Sequence, residues 1–134
     1  MRVLGIDYGE KNVGIALGDT ESKIATPWGV LPNEGSLPLL SRLHDIVARD
    51  LVEAIVVGIP RPLRDSRLEN DQVREVRKFM AGLEGLGVKI HEEDEALTSK
   101  IAARQAQEMG EKEKRDDLAA AAILQSWLDD RGER

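Results

Sequence analysis

The sequence predicts an α/β protein organised around a mixed β-sheet, and three observations carry that prediction. Short apolar runs joined by tight polar turns open the chain. Apolar residues at three- and four-residue spacing follow, as in amphipathic helices. A continuous apolar run, Ala54 to Ile59, then separates two such helical stretches. Hairpin-linked strands followed by alternating strands and helices imply a mixed sheet, its later strands joined by right-handed crossovers.

Taken in order, Val3 to Asp7 is a short apolar run ending in a carboxylate, and Tyr8-Gly9-Glu10-Lys11-Asn12 is a polar turn. Val13 to Leu17 and Ile24 to Leu31, the latter holding Trp28, complete an antiparallel meander bounded by Pro32-Asn33. Leu37, Leu40, Leu43, Val47 and Leu51 form a helical stripe, with Ser36 as its N-cap and Pro38 harmless in its first turn. Ala54 to Ile59 lacks alternation, as expected of a strand buried on both faces. Ser66-Arg67-Leu68-Glu69 has the capping-box pattern ahead of Val73, Val76, Phe79, Met80 and Leu83. Val88 to His91 reads as a short strand. Thr98 caps a helix bearing Ile101, Ala102 and Met109, and a last helix starts around Asp116. The expected order is β-β-β-α-β-α-β-α-α.

The chain has 134 residues, which suits a single domain spanning 1–134. Its 19 Lys plus Arg against 25 Asp plus Glu exclude the bulk basic footprint of a passive nucleic-acid binder. They leave room for an enzyme that handles phosphates through a local patch and bound metal ions. The absence of Cys excludes disulfides, thiolate catalysis and cysteine metal sites. No apolar stretch approaches the ~18 residues of a membrane span, and the apolar part of the N-terminus is too short for a signal peptide. The expected location is the cytoplasm.

Acidic residues stand at the ends of several of these elements: Asp7 after the first strand, Asp94 and Glu95 after the last, Asp116 and Asp117 at the start of the last helix. Ligands of open sheets gather beyond the carboxyl ends of strands. If the first and last strands are parallel and adjacent, Asp7 and Asp94-Glu95 emerge at one edge, where a helix packed across the sheet brings Asp116. Carboxylates gathered there repel unless a divalent cation holds them, and hard oxygen donors favour Mg²⁺ or Mn²⁺. Two such ions can activate a water and stabilise the leaving oxygen in phosphodiester hydrolysis.

Each acid alone also has a structural reading. Asp7 suits a turn, Asp116 and Asp117 suit a helix start, and the run Glu92-Glu93-Asp94-Glu95 suits a solvated surface. Lys11 beside Asp7, the cluster Arg61, Arg64 and Arg67, and Thr98 are candidate contacts for a nucleic-acid backbone. Trp28 and Trp127 read as core or interface residues, because aromatics are scarce and not interleaved with basic residues. His44 reads as a surface residue, and His91 is given no role.

Gly5-Ile6-Asp7-Tyr8-Gly9-Glu10-Lys11-Asn12-Val13-Gly14-Ile15-Ala16 closely resembles the opening motif of the YqgF/RuvX family. Val56-Val57-Gly58-Ile59-Pro60, Asp94-Glu95-Ala96-Leu97-Thr98-Ser99 and Asp116-Asp117-Leu118-Ala119-Ala120 through Ile123-Leu124-Gln125 resemble its central strand, acidic segment and closing helix. The resemblance implies an RNase H-like fold with strand order 3-2-1-4-5. It implies a metal-dependent nuclease related to RuvC-type resolvases, acting on four-way DNA junctions or on the 5′ end of precursor 16S ribosomal RNA. It carries the catalytic, metal-binding role to Asp7, Glu95 and Asp116, with Asp94 as a further ligand. Two departures stand out: Ala96 where the family has Arg, and Asp65 followed directly by Ser66 without the usual Gly. Both bear on substrate positioning, which Arg64 or Arg67 could restore.

Two other classes compete. A non-catalytic RNA-binding assembly or transcription factor would keep the fold without turnover. The Asp-x-Gly turn also resembles the first phosphate motif of the actin-like ATPases, which need a second domain to enclose ATP. A two-fold junction substrate would suit a homodimer.

Overall fold

A computed structural model of the chain describes residues 1–59, 71–94 and 116–132. Three strands come first: β1 (Arg2–Asp7), β2 (Asn12–Asp19) and β3 (Ile24–Pro32). Helix α1 (Ser36–Arg49), strand β4 (Val52–Ile59) and helix α2 (Asp71–Leu83) follow. A 3-10 turn (Glu84–Leu86) leads into strand β5 (Lys89–Asp94), and helix α3 (Asp116–Gly132) closes the described chain. The sheet has the order β3-β2-β1-β4-β5. The β1–β2 and β2–β3 pairs are antiparallel, and the β1–β4 and β4–β5 pairs are parallel. This is the mixed sheet that the sequence pattern implied, in the order that the family resemblance implied.

Alternation of side chains sorts the apolar residues into two cores, one per face. Leu4, Ile6, Val13, Ile15, Ile55, Val57 and Ile59 point to one side, where α1 and α2 cover them with Leu39, Leu43, Ile46, Val73, Phe79 and Leu83. Val3, Ala16, Ala54 and Val56 point to the other, against Ala120, Ile123, Leu124, Trp127 and Leu128 of α3. Helix α3 is buried on nearly every side through residues 117–124, as expected of a helix apolar all round.

Several expectations need correction. Gly35, not Ser36, is the N-cap of α1; its φ of 111° is a conformation that glycine adopts freely, and no side chain caps the helix. The buried stripe of α1 is Leu39, Leu43 and Ile46, while Leu37 and Leu51 are exposed. Leu51 lies past the helix end at φ 56°, in the turn into β4, where the helical period no longer applies. Strand β5 runs three residues further than Val88 to His91 suggests. As an edge strand it needs only backbone pairing, and Glu92, Glu93 and Asp94 pair with Val57, Gly58 and Ile59. Strands β1 and β5 are parallel but not adjacent, because β4 lies between them. The capping box at Ser66 and the helix expected from Thr98 lie outside the described residues.

Candidate active site

Asp7 is the last residue of β1 and is buried, only 5% exposed. Its cross-strand partner on β2 is Gly14. A methyl group placed on Gly14 would stand 1.9 Å from the backbone oxygen of Asp116 and 2.9 Å from its Cβ. The first turn of α3 therefore rests directly on the residue paired with Asp7. Two acids 109 positions apart in sequence are brought to one pole, Asp116 seated on the strand partner of Asp7 because position 14 carries no side chain.

Two further glycines extend the close approach down the helix. A Cβ on Gly5 would lie 2.7 Å from Leu124 Cβ, and one on Gly18 would lie 3.0 Å from Leu124 Cδ2. Gln125 fixes the rotation and height of α3. Its Oε1 accepts the Ala25 N–H at 2.9 Å, and its Nε2 donates to the Lys23 carbonyl at 2.8 Å. At the helix start, the Asp117 carboxylate accepts the Leu118 N–H at 3.1 Å. Asp117 is 6% exposed. An acid in the first turn also complements the helix dipole, so the capping reading and the site reading describe the same pair of residues.

The turn after Asp7 is pinned from outside. The Asn33 side-chain amide donates to the Gly9 carbonyl at 2.8 Å, and the Asn33 backbone N–H donates to the Lys11 carbonyl at 2.9 Å. Gly9 is required there, since a Cβ would sit 2.3 Å from the Asn12 oxygen. The Tyr8 ring packs on Phe79 of α2 with centroids 4.7 Å apart. Lys11 is exposed on this anchored turn, at the rim of the Asp7 pole.

Strand β5 brings its acids to the same carboxyl edge through β4. His91 faces α3, its ring 5.0 Å from that of Trp127. Glu92 faces α2 and pairs with Arg77 at 3.7 Å. Alternation then gives Glu93 to the α3 side, shared with Asp7, and Asp94 to the α2 side. Burial pushes the Glu93 carboxyl above its ordinary value, and the charge of Asp130 adds to the effect. The sequence singles out Asp94 and Glu95 from this run as the acids after the strand; the pleat in addition separates Glu93 from Glu92 and Asp94. Glu95, Arg61, Arg64, Arg67 and Thr98 lie outside the described residues.

Among the described residues no three acids or histidines stand close enough to share one metal ion. The acids that share this pole, Asp7 and Asp116, are hard carboxylates, with no cysteine anywhere in the chain. Such a donor pair fits Mg²⁺ or Mn²⁺ and would supply part of a coordination shell. His44 is exposed, with Nδ1 3.9 Å from Asp45. Trp127 is a core residue at 8% exposure, whereas Trp28 is 41% exposed.

Comparison with known proteins gives concordant results. The family described as RuvX, Holliday junction resolvase, matches residues 1–130. A protein of Maridesulfovibrio salexigens named "Putative pre-16S rRNA nuclease" is 35% identical, over 96% of this chain and 98% of its own length. A protein of the same name from Moorella thermoacetica is 34% identical, over 99% of this chain and 98% of its own. Among solved structures, Thermus thermophilus RuvC in complex with a Holliday junction superposes with a TM-score of 0.61 at 19% identity, covering 98% of this chain and 96% of that one. Fowlpox virus resolvase with junction DNA gives 0.57 at 12% identity, covering 98% and 99%. At these identities the structures show a shared fold, the RNase H-like fold of RuvC-type resolvases.

Proposed function

This chain belongs to the RuvX family, and on that premise we propose that it is a divalent-metal-dependent endonuclease that trims the 5′ end of precursor 16S ribosomal RNA. The observation that carries the reading is the seating of Asp116 on Gly14, the strand partner of buried Asp7. The catalytic acids are Asp7, Glu95 and Asp116, with Asp94 the weaker candidate because its strand position faces away from Asp7.

A bound Mg²⁺ or Mn²⁺ would supply an activated water and charge neutralisation at the leaving oxygen. The work of the protein is to hold the acids ready. Burial of Asp7 keeps its carboxylate out of bulk water, and the contact at Gly14 seats Asp116 on the strand partner of Asp7. Lys11, on a turn tied to Asn33, is proposed to meet a backbone phosphate next to the scissile one. Arg61, Arg64, Arg67 and Thr98 are proposed as further backbone contacts.

Precursor rRNA is preferred over junction DNA because the relatives at 34–35% identity bear the rRNA name, whereas the junction-bound structures share only the fold. Junction cleavage is the second reading, favoured by the family description, and it would call for a homodimer. The rRNA reading implies the cytoplasm; no described helix is long and apolar enough to cross a membrane. A side-by-side cleavage assay tests the choice, with a precursor 16S fragment and a four-way junction, each in Mg²⁺ and in Mn²⁺. The expected result is metal-dependent cleavage of the RNA near the mature 5′ end. Cleavage of the junction alone would transfer the assignment to DNA, and binding of both without cleavage would favour a non-catalytic factor.

A further inference from the structure

The exposed tryptophan is the feature of the fold that the active site does not absorb. On β3, Gly29 pairs with Ile15 and Pro27 pairs with Ala16, so Trp28 is the extra residue of a bulge. Bulges re-aim a side chain away from the regular pleat. Here the indole is 41% exposed, with the Arg49 guanidinium of α1 5.8 Å from its ring centroid. Trp28 forms one wall of a groove of about 550 Å³ whose lining includes Leu31, Arg42, Asp45, Ile46 and Arg49. Arg42 and Arg49 are two helical turns apart, ~10 Å along the axis of α1. Arg49 also has Asp50 at 3.6 Å, while Arg42 has no ion-pair partner among the described residues.

We propose that this groove binds an unpaired nucleotide of single-stranded nucleic acid, its base stacked on Trp28 and its neighbouring phosphates on Arg42 and Arg49. The inference rests on the nuclease reading and deepens it: the groove holds the single strand that flanks the cleaved one. An indole beside cationic side chains is the stacking platform that single-stranded nucleic acid uses irrespective of sequence. Charge selects the occupant. In a chain of net charge -6, this groove is lined by two arginines and one acid, Asp45; Asp50 offsets Arg49, and Arg42 remains as the cation for a phosphate. A second copy pairing along β3 fits less well, because Pro27 and Pro32 remove N–H donors from that strand. The groove lies on the α1 side of the sheet, two strands from β1, so the flanking strand would pass around the β3 edge.

The test is a fluorescence titration of the full chain with a ten-nucleotide oligouridylate in EDTA, so that no cleavage occurs. Trp28 emission should be quenched saturably, and the Trp28→Phe chain, which retains Trp127, should show no such quench. By anisotropy of labelled oligouridylate, Trp28→Ala should bind about ten-fold more weakly and Trp28→Phe nearly as tightly as wild type. Arg42→Ala should lower the salt dependence of binding by roughly one charge contact. Equal affinity of Trp28→Ala and wild type would overturn the proposal, as would failure of wild type to bind at all. So would self-association that Trp28→Ala abolishes while oligouridylate binding stays unchanged, since that assigns the face to a second copy. Hydrolysis is scored separately. Quenching without cleavage of any substrate refutes the nuclease reading alone, and cleavage with an unaltered KM in Trp28→Ala on flanked RNA refutes the groove alone.

Discussion

The two faces of the sheet solve different problems with different residues. Toward α1 and α2 the sheet presents Leu4, Ile6, Ile15, Ile55, Val57 and Ile59, and the helices answer with Leu39, Leu43, Phe79 and Leu83. Toward α3 it presents Gly5, Gly14, Ala16, Gly18 and Ala54 between Val3 and Val56, and the helix answers with Ala120 and Ala121 beside Ile123, Leu124, Trp127 and Leu128. Large aliphatic side chains bury the most area and contribute the most to stability. Glycine and alanine bury little, but they set backbone against backbone with no slack. The acids ride on the second face, which suggests that one face is built for stability and the other for position.

The comparison breaks first at Gly14. Gly14→Ala should cost about 1–3 kcal/mol in stability through overpacking, and it should cost about 100-fold or more in cleavage rate by displacing Asp116. Chemical denaturation and single-turnover kinetics on one preparation would check both. The opposite split is expected across the sheet. Leu43→Ala should lose about 2–5 kcal/mol of stability, with kcat unchanged at temperatures where the variant remains folded. Equal loss of kcat in both variants would erase the distinction between the faces. Gln125→Ala, which frees α3 from Lys23 and Ala25, should cost about 1–2 kcal/mol and reduce cleavage more than its stability loss explains.

The smallest effect lies at the far end of β2. The Glu21 backbone N–H holds the Asp19 carboxyl below its ordinary value, assisted by the N-terminal amino group and Arg2. A depressed carboxyl contributes stability above its ordinary value and loses it as pH falls through the folded one. Asp19→Asn should therefore lower the melting temperature slightly at pH 6, and the difference should shrink as pH falls below the ordinary carboxylate range. Cleavage at neutral pH should be unaffected, because Asp19 is at the opposite end of β2 from Gly14.

Much of this architecture is readable from sequence where burial writes a pattern. The strand from Ala54 to Ile59 is apolar throughout because both its faces are covered, and Asp7 stands out as the carboxylate that ends an apolar run. The last helix is recognisable because it is apolar on every side. What escapes is whatever depends on contacts distant along the chain. Gly14 looks like any strand glycine until α3 is laid upon it. The acids of β5 look alike until pairing with β4 assigns Glu93 and Asp94 to opposite faces. Trp28 reads as core or interface because aromatics are scarce, and the bulge that exposes it leaves no mark on periodicity; the exposure of Leu51 follows from a backbone turn that apolar spacing does not register. Glu95, on which the metal-site reading also depends, lies outside the described residues.

The central claim is that Asp7 and Asp116 act on one bound cation. Mn²⁺-dependent cleavage of precursor 16S RNA by Asp7→Asn, Asp116→Asn and the double variant tests it most directly. Each single change should reduce the single-turnover rate by about 10³-fold or more with the fold intact by circular dichroism, and the double change should cost little beyond either one. Near wild-type cleavage by Asp7→Asn, or losses that simply multiply in the double variant, would contradict it.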